Sequence, residues 1–188
     1  ASPPTAAIIQ NSRGSRHCES RNTRRKRRYE ILCAHFGCSE PIIERMRPVS
    51  KDEIVRELVC RPSSVAVVGA SPKGDRPVSA VMKYCIAHGF RVFPVNPQYA
   101  GGEILGLPCC ADLRELPVIP DIVALFVSAK GHGAVLDALR AMDGPRKPVV
   151  WMQPGAEDDA SERAFLEAGF GVVRDDCIMR AHLRECPP

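Results

Sequence analysis

The chain is poor in aromatic residues and has no long hydrophobic run. Only 5% of its 188 residues are Phe, Trp or Tyr, and there is a single Trp. No apolar segment approaches the ~20 residues of a transmembrane helix, which excludes a segment of that kind. The hydrophobic content of 45% is otherwise typical of a globular protein with a core of ordinary size.

The glycine pattern of NAD-binding proteins is also missing. That pattern, G-x-G-x-x-G, follows the first strand, and an acidic residue ~20 positions later binds the ribose hydroxyls. Here only Gly69 and Gly74 follow the first predicted strand, at a different spacing, and the second strand ends in Val95-Asn96-Pro97 without a carboxylate. The sequence therefore disfavours NAD.

Catalytic and metal-binding constellations are not apparent either. No Ser/His/Asp or paired-carboxylate arrangement is visible, and Cys177 has no nearby His in the sequence, so we expect no catalytic residue. Cys33, His35 and Cys38 have a ligand-like spacing, but the second pair that a zinc site needs is missing. We expect no metal. His132 is interpreted as a histidine of a surface loop.

Acidic residues are scarce at the start of the chain. Residues 1–30 hold eight Lys or Arg and two Glu, a net charge of +6, which leaves −2 for the remainder. This composition predicts a disordered or extended basic arm at 1–30, followed by a linker at 31–49 and a domain at 50–186. The arm is the candidate for binding structured RNA or a large assembly, through a cluster of basic residues that comprises Arg21, Arg24, Arg25, Lys26, Arg27 and Arg28.

Cysteine usage and the character of the arm bear on localisation. Nine cysteines is an odd number, and Cys60 and Cys85 fall on apolar helix faces, where a free cysteine acts as a small hydrophobic residue. A reducing compartment is therefore expected. The Arg-rich, acid-poor arm has the character of a mitochondrial presequence, which favours the mitochondrial matrix, with the cytoplasm as the alternative.

Strand and helix patterns alternate along the rest of the chain. A capping box, Ser50-Lys51-Asp52-Glu53, begins the first helix. Strands are predicted at Val65–Val68, Arg91–Val95, Asp121–Val127, Val149–Met152 and Gly171–Arg174. Helices are predicted at Pro77–His88, Gly133–Met142, Glu157–Ala168 and Met179–Leu183. This alternation indicates an α/β fold: a Rossmann-like, doubly wound parallel sheet of about five strands.

The first strand leads into a loop suited to phosphate. A β-branched run ends at Gly69, and the following small polar loop carries Ser71, Lys73 and Arg76 before Pro77 begins a helix. Backbone N–H groups at a helix N-terminus and nearby cations bind phosphate groups. The extra positive charge favours a ligand with more phosphate than NAD. Gln153, at the end of a later strand, is a further candidate to face the ligand.

Several motifs, in order, resemble small CoA-binding proteins and the nucleotide-binding domain of the succinyl-CoA synthetase α subunit. The motifs are Val67-Val68-Gly69-Ala70-Ser71 with Arg76-Pro77, Val95-Asn96-Pro97, Asp121-Ile122-Val123, Trp151-Met152-Gln153 and Asp176-Cys177-Ile178. The resemblance covers about residues 51–183. It implies coenzyme A as the cofactor, with its phosphates at the Gly69–Arg76 turn and its adenosine end near Asn96-Pro97. Predicted binding residues are therefore Gly69, Ala70, Ser71, Lys73, Arg76, Asn96, Pro97 and Gln153.

The chain departs from that family at three places. Val127 stands where the family usually has an Arg, Pro154 precedes Gly155, and Ala181 replaces an acidic residue.

Three hypotheses for the function follow from these observations. The first is a non-catalytic CoA- or acyl-CoA-binding accessory subunit. The second, which the departures favour, is a structural subunit of a mitochondrial ribonucleoprotein, such as a mitoribosome, whose pocket is empty. The third is an acyl-CoA ligase subunit that needs a partner chain.

Overall fold

The computed structural model describes residues 50–61, 63–142, 144 and 146–186. The predicted arm at 1–30, with its basic cluster, and the linker at 31–49, with Cys33, His35 and Cys38, lie outside the described residues. Within the described residues, no helix is both long and apolar enough to cross a bilayer.

A five-stranded parallel sheet forms the centre of the domain, as predicted. In chain order the strands are β1 (Ser64–Val68), β2 (Arg91–Val95), β3 (Glu103–Ile104), β4 (Leu107–Pro108), β5 (Ile122–Leu125), β6 (Val149–Met152) and β7 (Gly171–Val173). The sheet has the order β2-β1-β5-β6-β7, and Val65 of β1 pairs with Val92 on one side and Ile122 on the other. Every residue of β5 and β6 is buried, as expected for strands covered on both faces.

Helices cover both faces of this sheet. They are α1 (Lys51–Ile54), α2 (Pro77–Ala87), α3 (His132–Ala141), α4 (Asp159–Glu167) and α5 (Ile178–Glu185). One core cluster joins α1, α2 and α5 to the sheet, with Met82, Trp151 and Ile178 among its buried members. The other joins α3 and α4, with Leu139 and Phe165 at its centre. The Rossmann-like, doubly wound fold is thereby confirmed.

The predicted helix ends are largely correct. Ser50 caps α1 as expected: its hydroxyl accepts a hydrogen bond from Glu53 N, and the Glu53 carboxylate accepts one from Ser50 N. Gly89, at φ +80°, follows the end of α2 in the left-handed conformation. The π-helical turn that continues α1 over Val55–Val59 was not predicted, because the apolar spacing there fits an α-helix equally well.

Between β2 and β5, the structure contains a hairpin that the sequence did not predict. β3 and β4 pair in antiparallel fashion across Leu105 and Gly106, and both turn residues have positive φ. Such a turn usually carries Asn or Gly at its first position. Leu105, at φ +55°, gives no signal of this kind.

The interpretation of Cys60 as a free cysteine is wrong. Cys60 follows the π-helical turn and forms a disulfide with Cys186, which lies just after α5 and 126 positions later in the sequence. Cys85 and Cys177 are free and buried, as expected of small apolar residues. Burial, and then the neighbouring Cys177, raise the pKa of Cys85 to about 12, so its thiol is not activated.

The strand order creates a switch point at the carboxyl edge of the sheet. From β1 the chain crosses to β2 on one side, and it then returns to β5 on the other side of β1. In sheets of this kind, ligands bind in the crevice between the two diverging connections. The Gly69–Arg76 turn leaves β1 at this position.

Candidate functional site

The turn after β1 is fixed between β2 and the segment that follows β5. Gly69 has φ +89°, and its N–H donates to Val95 O at 2.9 Å. A Cβ atom at this position would lie 2.9 Å from Val127 Cγ1 and 3.0 Å from Phe126 O. Position 69 therefore requires glycine for two reasons: its positive φ, and the close approach of Phe126 and Val127 in the segment that follows β5.

Two backbone donors of this turn are already used inside the protein. Besides Gly69, Ala70 N donates to Val95 O at 3.4 Å. Ala70 is fully buried, and the Ser71 hydroxyl accepts a hydrogen bond from Lys73 N at 3.2 Å. These three residues shape the turn. Gly69 and Ala70 thus lie where the sequence predicted, but their N–H groups are committed to the fold.

The charged part of the turn faces solvent. The Lys73 and Arg76 side chains are exposed, and Arg76 N donates to Lys73 O at 3.2 Å, which closes the loop before α2. Among the described residues, the backbone N–H groups of Ser71, Gly74 and Asp75 have no hydrogen-bond partner. The turn therefore presents two cations, Lys73 and Arg76, with one exposed carboxylate, Asp75, between them and with uncommitted backbone donors.

The N-terminus of α2 lacks the usual cap. Arg76 occupies the N-cap position, where Ser, Thr, Asp or Asn normally accepts a bond from the first turn, and its side chain makes no capping hydrogen bond. Pro77 follows, and the first turn of α2 contains no acidic residue. The positive end of the helix dipole is thus not neutralised from within the helix. A bound phosphate would supply the missing acceptor.

Asn96 joins the turn to the end of β2. Its Nδ2 donates to Ala70 O at 2.7 Å, and its Oδ1 accepts from Gln98 N at 2.9 Å. The structure thus brings Asn96 beside the Gly69–Arg76 turn, although its side chain already has partners. Pro97 is exposed and begins a 3₁₀ turn over Pro97–Tyr99.

Gln153 lies two strands away from the turn, at the end of β6. Its backbone N donates to Leu125 O at 3.3 Å, and its side chain is only 2% exposed. Within the described residues, neither Oε1 nor Nε2 has a hydrogen-bond partner. Gln153 is therefore at the carboxyl edge, as predicted, but is enclosed.

The interpretation of His132 as a surface-loop residue is wrong. His132 is the first residue of α3 and is 1% exposed; its Nε2 lies 3.2 Å from Val127 O. His132, Val135, Leu136 and Leu139 are all buried and lie at positions i, i+3, i+4 and i+7 of one helix face. That spacing was visible in the sequence and would have revealed the burial of His132.

The edge opposite the candidate site holds two small cavities, of about 290 and 190 Å³. Their lining comes from segments that precede β5 and β6, such as Leu116–Ile119 and Arg146–Pro148. The predicted binding residues are not among the lining. In the described part of the chain, no three His, Cys, Asp or Glu side chains lie close enough together to hold a metal ion.

The fold and the turn together define a Rossmann-like α/β domain with a basic turn and an uncapped helix N-terminus at its switch point. The chain belongs to the CoA binding domain family, whose sequence pattern matches residues 63–182. That match begins just before β1 and ends within α5, so it includes the whole sheet.

Three known proteins illustrate what the chain is similar to. The Bacillus subtilis protein YneT is 33% identical over 137 residues, covering 73% of this chain and 97% of its own length. An ADP-forming acetate–CoA ligase of Archaeoglobus fulgidus is 38% identical over 124 residues, and the match spans 62% of this chain but only 18% of the ligase. The solved structure of a Pyrococcus horikoshii protein is 36% identical, with a TM-score of 0.64, and covers 73% of this chain and 95% of its own.

Proposed function

We propose that this protein binds coenzyme A or an acyl-CoA, with the ligand's phosphates at the Gly69–Arg76 turn. The observation that carries the proposal is the uncapped N-terminus of α2 beside two exposed cations, Lys73 and Arg76, at the switch point of the sheet. The adenosine end would lie beside Asn96 and Pro97. Membership of the CoA binding domain family supports the same ligand.

The choice of CoA over NAD follows from charge. CoA carries a 3′-phosphate in addition to its diphosphate, and each added phosphate gains from Lys73, Arg76 and the helix dipole. NAD instead needs an acceptor for its ribose hydroxyls after β2. At that position the chain has Asn96, whose Oδ1 already accepts from Gln98 N.

We further propose that the domain holds its ligand without converting it. In the described residues of the turn, the Ser71 hydroxyl is bound to Lys73 N, and no histidine or carboxylate is within hydrogen-bond distance to activate it. The ligase relative matches only 18% of its own length, so its reaction would need further protein segments. An accessory or partner-dependent role is consistent with that share.

Isothermal titration of the full chain with CoA, dephospho-CoA and NAD tests the proposal. We expect micromolar affinity for CoA and weaker affinity for dephospho-CoA, which lacks the 3′-phosphate. Arg76→Ala should weaken CoA binding by about tenfold, the cost of one charge-assisted contact. Arg56→Ala, an exposed arginine on the π-helical turn, is the matched control and should leave affinity unchanged. Absence of binding by all three ligands would refute the proposal.

The predictions that rest on the arm at 1–30 concern residues outside the described part of the chain. Binding of structured RNA by the basic cluster at Arg21–Arg28 is tested by its salt dependence, because phosphate contacts weaken steeply as salt rises. The mitochondrial matrix localisation and the mitoribosome-like role also remain predictions.

A further inference from the structure

Two cavities adjoin at the amino edge of the sheet, which is the edge opposite the Gly69–Arg76 turn. Their volumes are about 290 and 190 Å³, and Met142, just after α3, lines both of them. Ile119 of the larger cavity lies against Gly144 of the smaller one, so closely that a Cβ atom on Gly144 would overlap Ile119 Cδ1. The two cavities therefore form one continuous depression, which we call the amino-edge groove.

The floor of the amino-edge groove is apolar and partly open to solvent. Leu139 and Phe170 are buried at the base of the smaller cavity. In the larger cavity Ile119 and Met142 are half-buried, and Val118 is 36% exposed. Apolar side chains that line a depression with a polar rim are typical of a binding surface. The groove thus offers two places where an apolar side chain of a partner can be buried.

The rim of the groove is positively charged. Among the described lining residues every charged side chain is a cation, and these are Arg114, Arg140, Arg146 and Lys147. The chain after residue 30 is slightly acidic, because its net charge is +4 in total and +6 within residues 1–30, which leaves −2. The groove is therefore a local positive region, and such a region attracts an acidic partner.

Two of the four cations are already used by the fold. Arg114 donates two side-chain hydrogen bonds to Asp112, at 2.7 and 2.9 Å. Lys147 Nζ donates to Ala168 O at 2.5 Å and lies 4.9 Å from the centre of the Phe170 ring. The Asp112 carboxylate neutralises Arg114, whereas Lys147 keeps its charge beside the apolar floor.

The other two cations are available to a partner. Arg140 Nη1 lies 3.9 Å from Asp137 Oδ1, and an exposed pair at this distance contributes little. Arg146 is exposed and has no hydrogen bond or ion pair with any residue that the structure describes. A guanidinium group binds a carboxylate through two parallel N–H donors. Arg140 and Arg146 can therefore each take one carboxylate of a partner.

We propose that the amino-edge groove docks an acidic segment of a partner protein. Two large apolar side chains of that segment occupy the two cavities, and its carboxylates bind Arg140 and Arg146. A nucleic acid backbone would satisfy the cations but has no apolar side chains for the floor, so the groove favours a peptide. Because the groove and the Gly69–Arg76 turn lie at opposite edges of the sheet, the partner and CoA do not exclude each other. The inference does not depend on the proposed function.

Fluorescence anisotropy of the full chain with labelled synthetic peptides tests the inference. The probe is a Glu-rich peptide of about twelve residues that contains two Leu, at spacing i, i+2 or i, i+4, which places both on one face of a strand or helix. The reference peptide has Ser in place of both Leu and keeps the charge, which the basic residues at 1–30 also attract. We expect one Leu peptide to bind about tenfold more tightly than its Ser reference. Equal affinities would indicate a site for anions alone, such as nucleic acid, and would overturn the inference.

Variants at exposed positions locate the binding without disturbing the core. Arg146→Glu should weaken binding of the Leu peptide about tenfold, because a carboxylate then faces the acidic segment. Val118→Ser should reduce the preference for the Leu peptide over the Ser peptide. Arg56→Glu makes the same change in charge on the other face of the sheet and serves as the control. Unchanged binding by Arg146→Glu, or an equal loss in the control, would overturn the inference.

A competition experiment separates this site from the proposed CoA site. The affinity for the Leu peptide should be the same with and without saturating CoA. Displacement of the peptide by CoA would place it at the Gly69–Arg76 turn and would overturn the inference. If the protein binds the Leu peptide but no CoA, the proposed function fails and the docking surface stands.

Discussion

The Cys60–Cys186 disulfide should contribute much of the stability of this domain. It closes a loop with a sequence separation of 126 residues, from the turn after α1 to the end of α5. A covalent closure of that length restricts the unfolded chain far more than it affects the native contacts. Cys186→Ser, which removes one sulfur at a half-buried position, is the simplest perturbation.

The expected loss of unfolding free energy follows from the entropy of loop closure in the unfolded chain. For a loop of about 126 residues the chain-entropy relation gives ~5 kcal/mol at 25 °C, and measured losses of native disulfides range from about 2 to 5 kcal/mol. Whole domains are stable by only about 5–15 kcal/mol. With a urea m-value of ~2 kcal/mol/M, the unfolding midpoint should therefore fall by about 1–2.5 M.

Urea unfolding of the wild-type protein and four variants measures this effect. Cys186→Ser, Cys60→Ser and the double variant should have the same lowered midpoint, because each removes the same link. Cys110→Ser, at a free and half-buried cysteine, serves as the control and should shift the midpoint little. A reductant should lower the wild-type midpoint to the level of the variants. The reasoning is refuted if Cys186→Ser unfolds at the wild-type midpoint. It is also refuted if Cys60 and Cys186 of the wild-type protein react with iodoacetamide in the absence of reductant.

Two other perturbations test the fold around the site and the packing of α5. Gly69→Ala should lower the free energy of unfolding by about 1–3 kcal/mol, because φ is positive and the new Cβ would meet Val127; unfolding in urea measures this, and an unchanged midpoint would contradict it. Burial, and then His88, lower the pKa of His182 below 6.5, while its Nδ1 is hydrogen-bonded to Tyr84 Oη at 2.8 Å. The unfolded chain therefore takes up this proton first, so stability should be full above about pH 6.5 and fall as pH drops through the folded pKa. Unfolding at pH 7.5 and 5.5 should show this loss, and His182→Asn should reduce it; an equal pH dependence in the variant would refute the assignment.

Features encoded by local pattern could be predicted from the sequence. β1, β2, β5 and β6 are compact apolar runs bounded by turn residues, and Ser50 and Gly89 mark helix ends through their own chemistry. The Gly69–Arg76 turn belongs to this class, since Gly69, Lys73, Arg76 and Pro77 are neighbours in the chain. Burial on both faces and the strand order then bring the turn to the switch point.

Features created by tertiary contact could not be predicted in this way. No local signal links Cys60 to Cys186 across 126 positions, and the Leu105 hairpin uses a residue that rarely adopts positive φ. The use of Asn96 as a tie to Ala70 O depends on how β1 and β2 pair. Asparagine is common both in turns and in ligand-binding sites. The sequence around Asn96 therefore could not distinguish these two roles.

The meeting of the first and last segments at Cys60 and Cys186 also affects how this domain can be used in larger proteins. Their Cα atoms are 5.1 Å apart, so the segment that leads from α1 into β1 lies beside the end of α5. A domain with adjacent ends can be inserted into a surface loop of another protein without separating the residues on either side of the insertion. The fold is therefore suited to serve as an interchangeable module in chains of very different length.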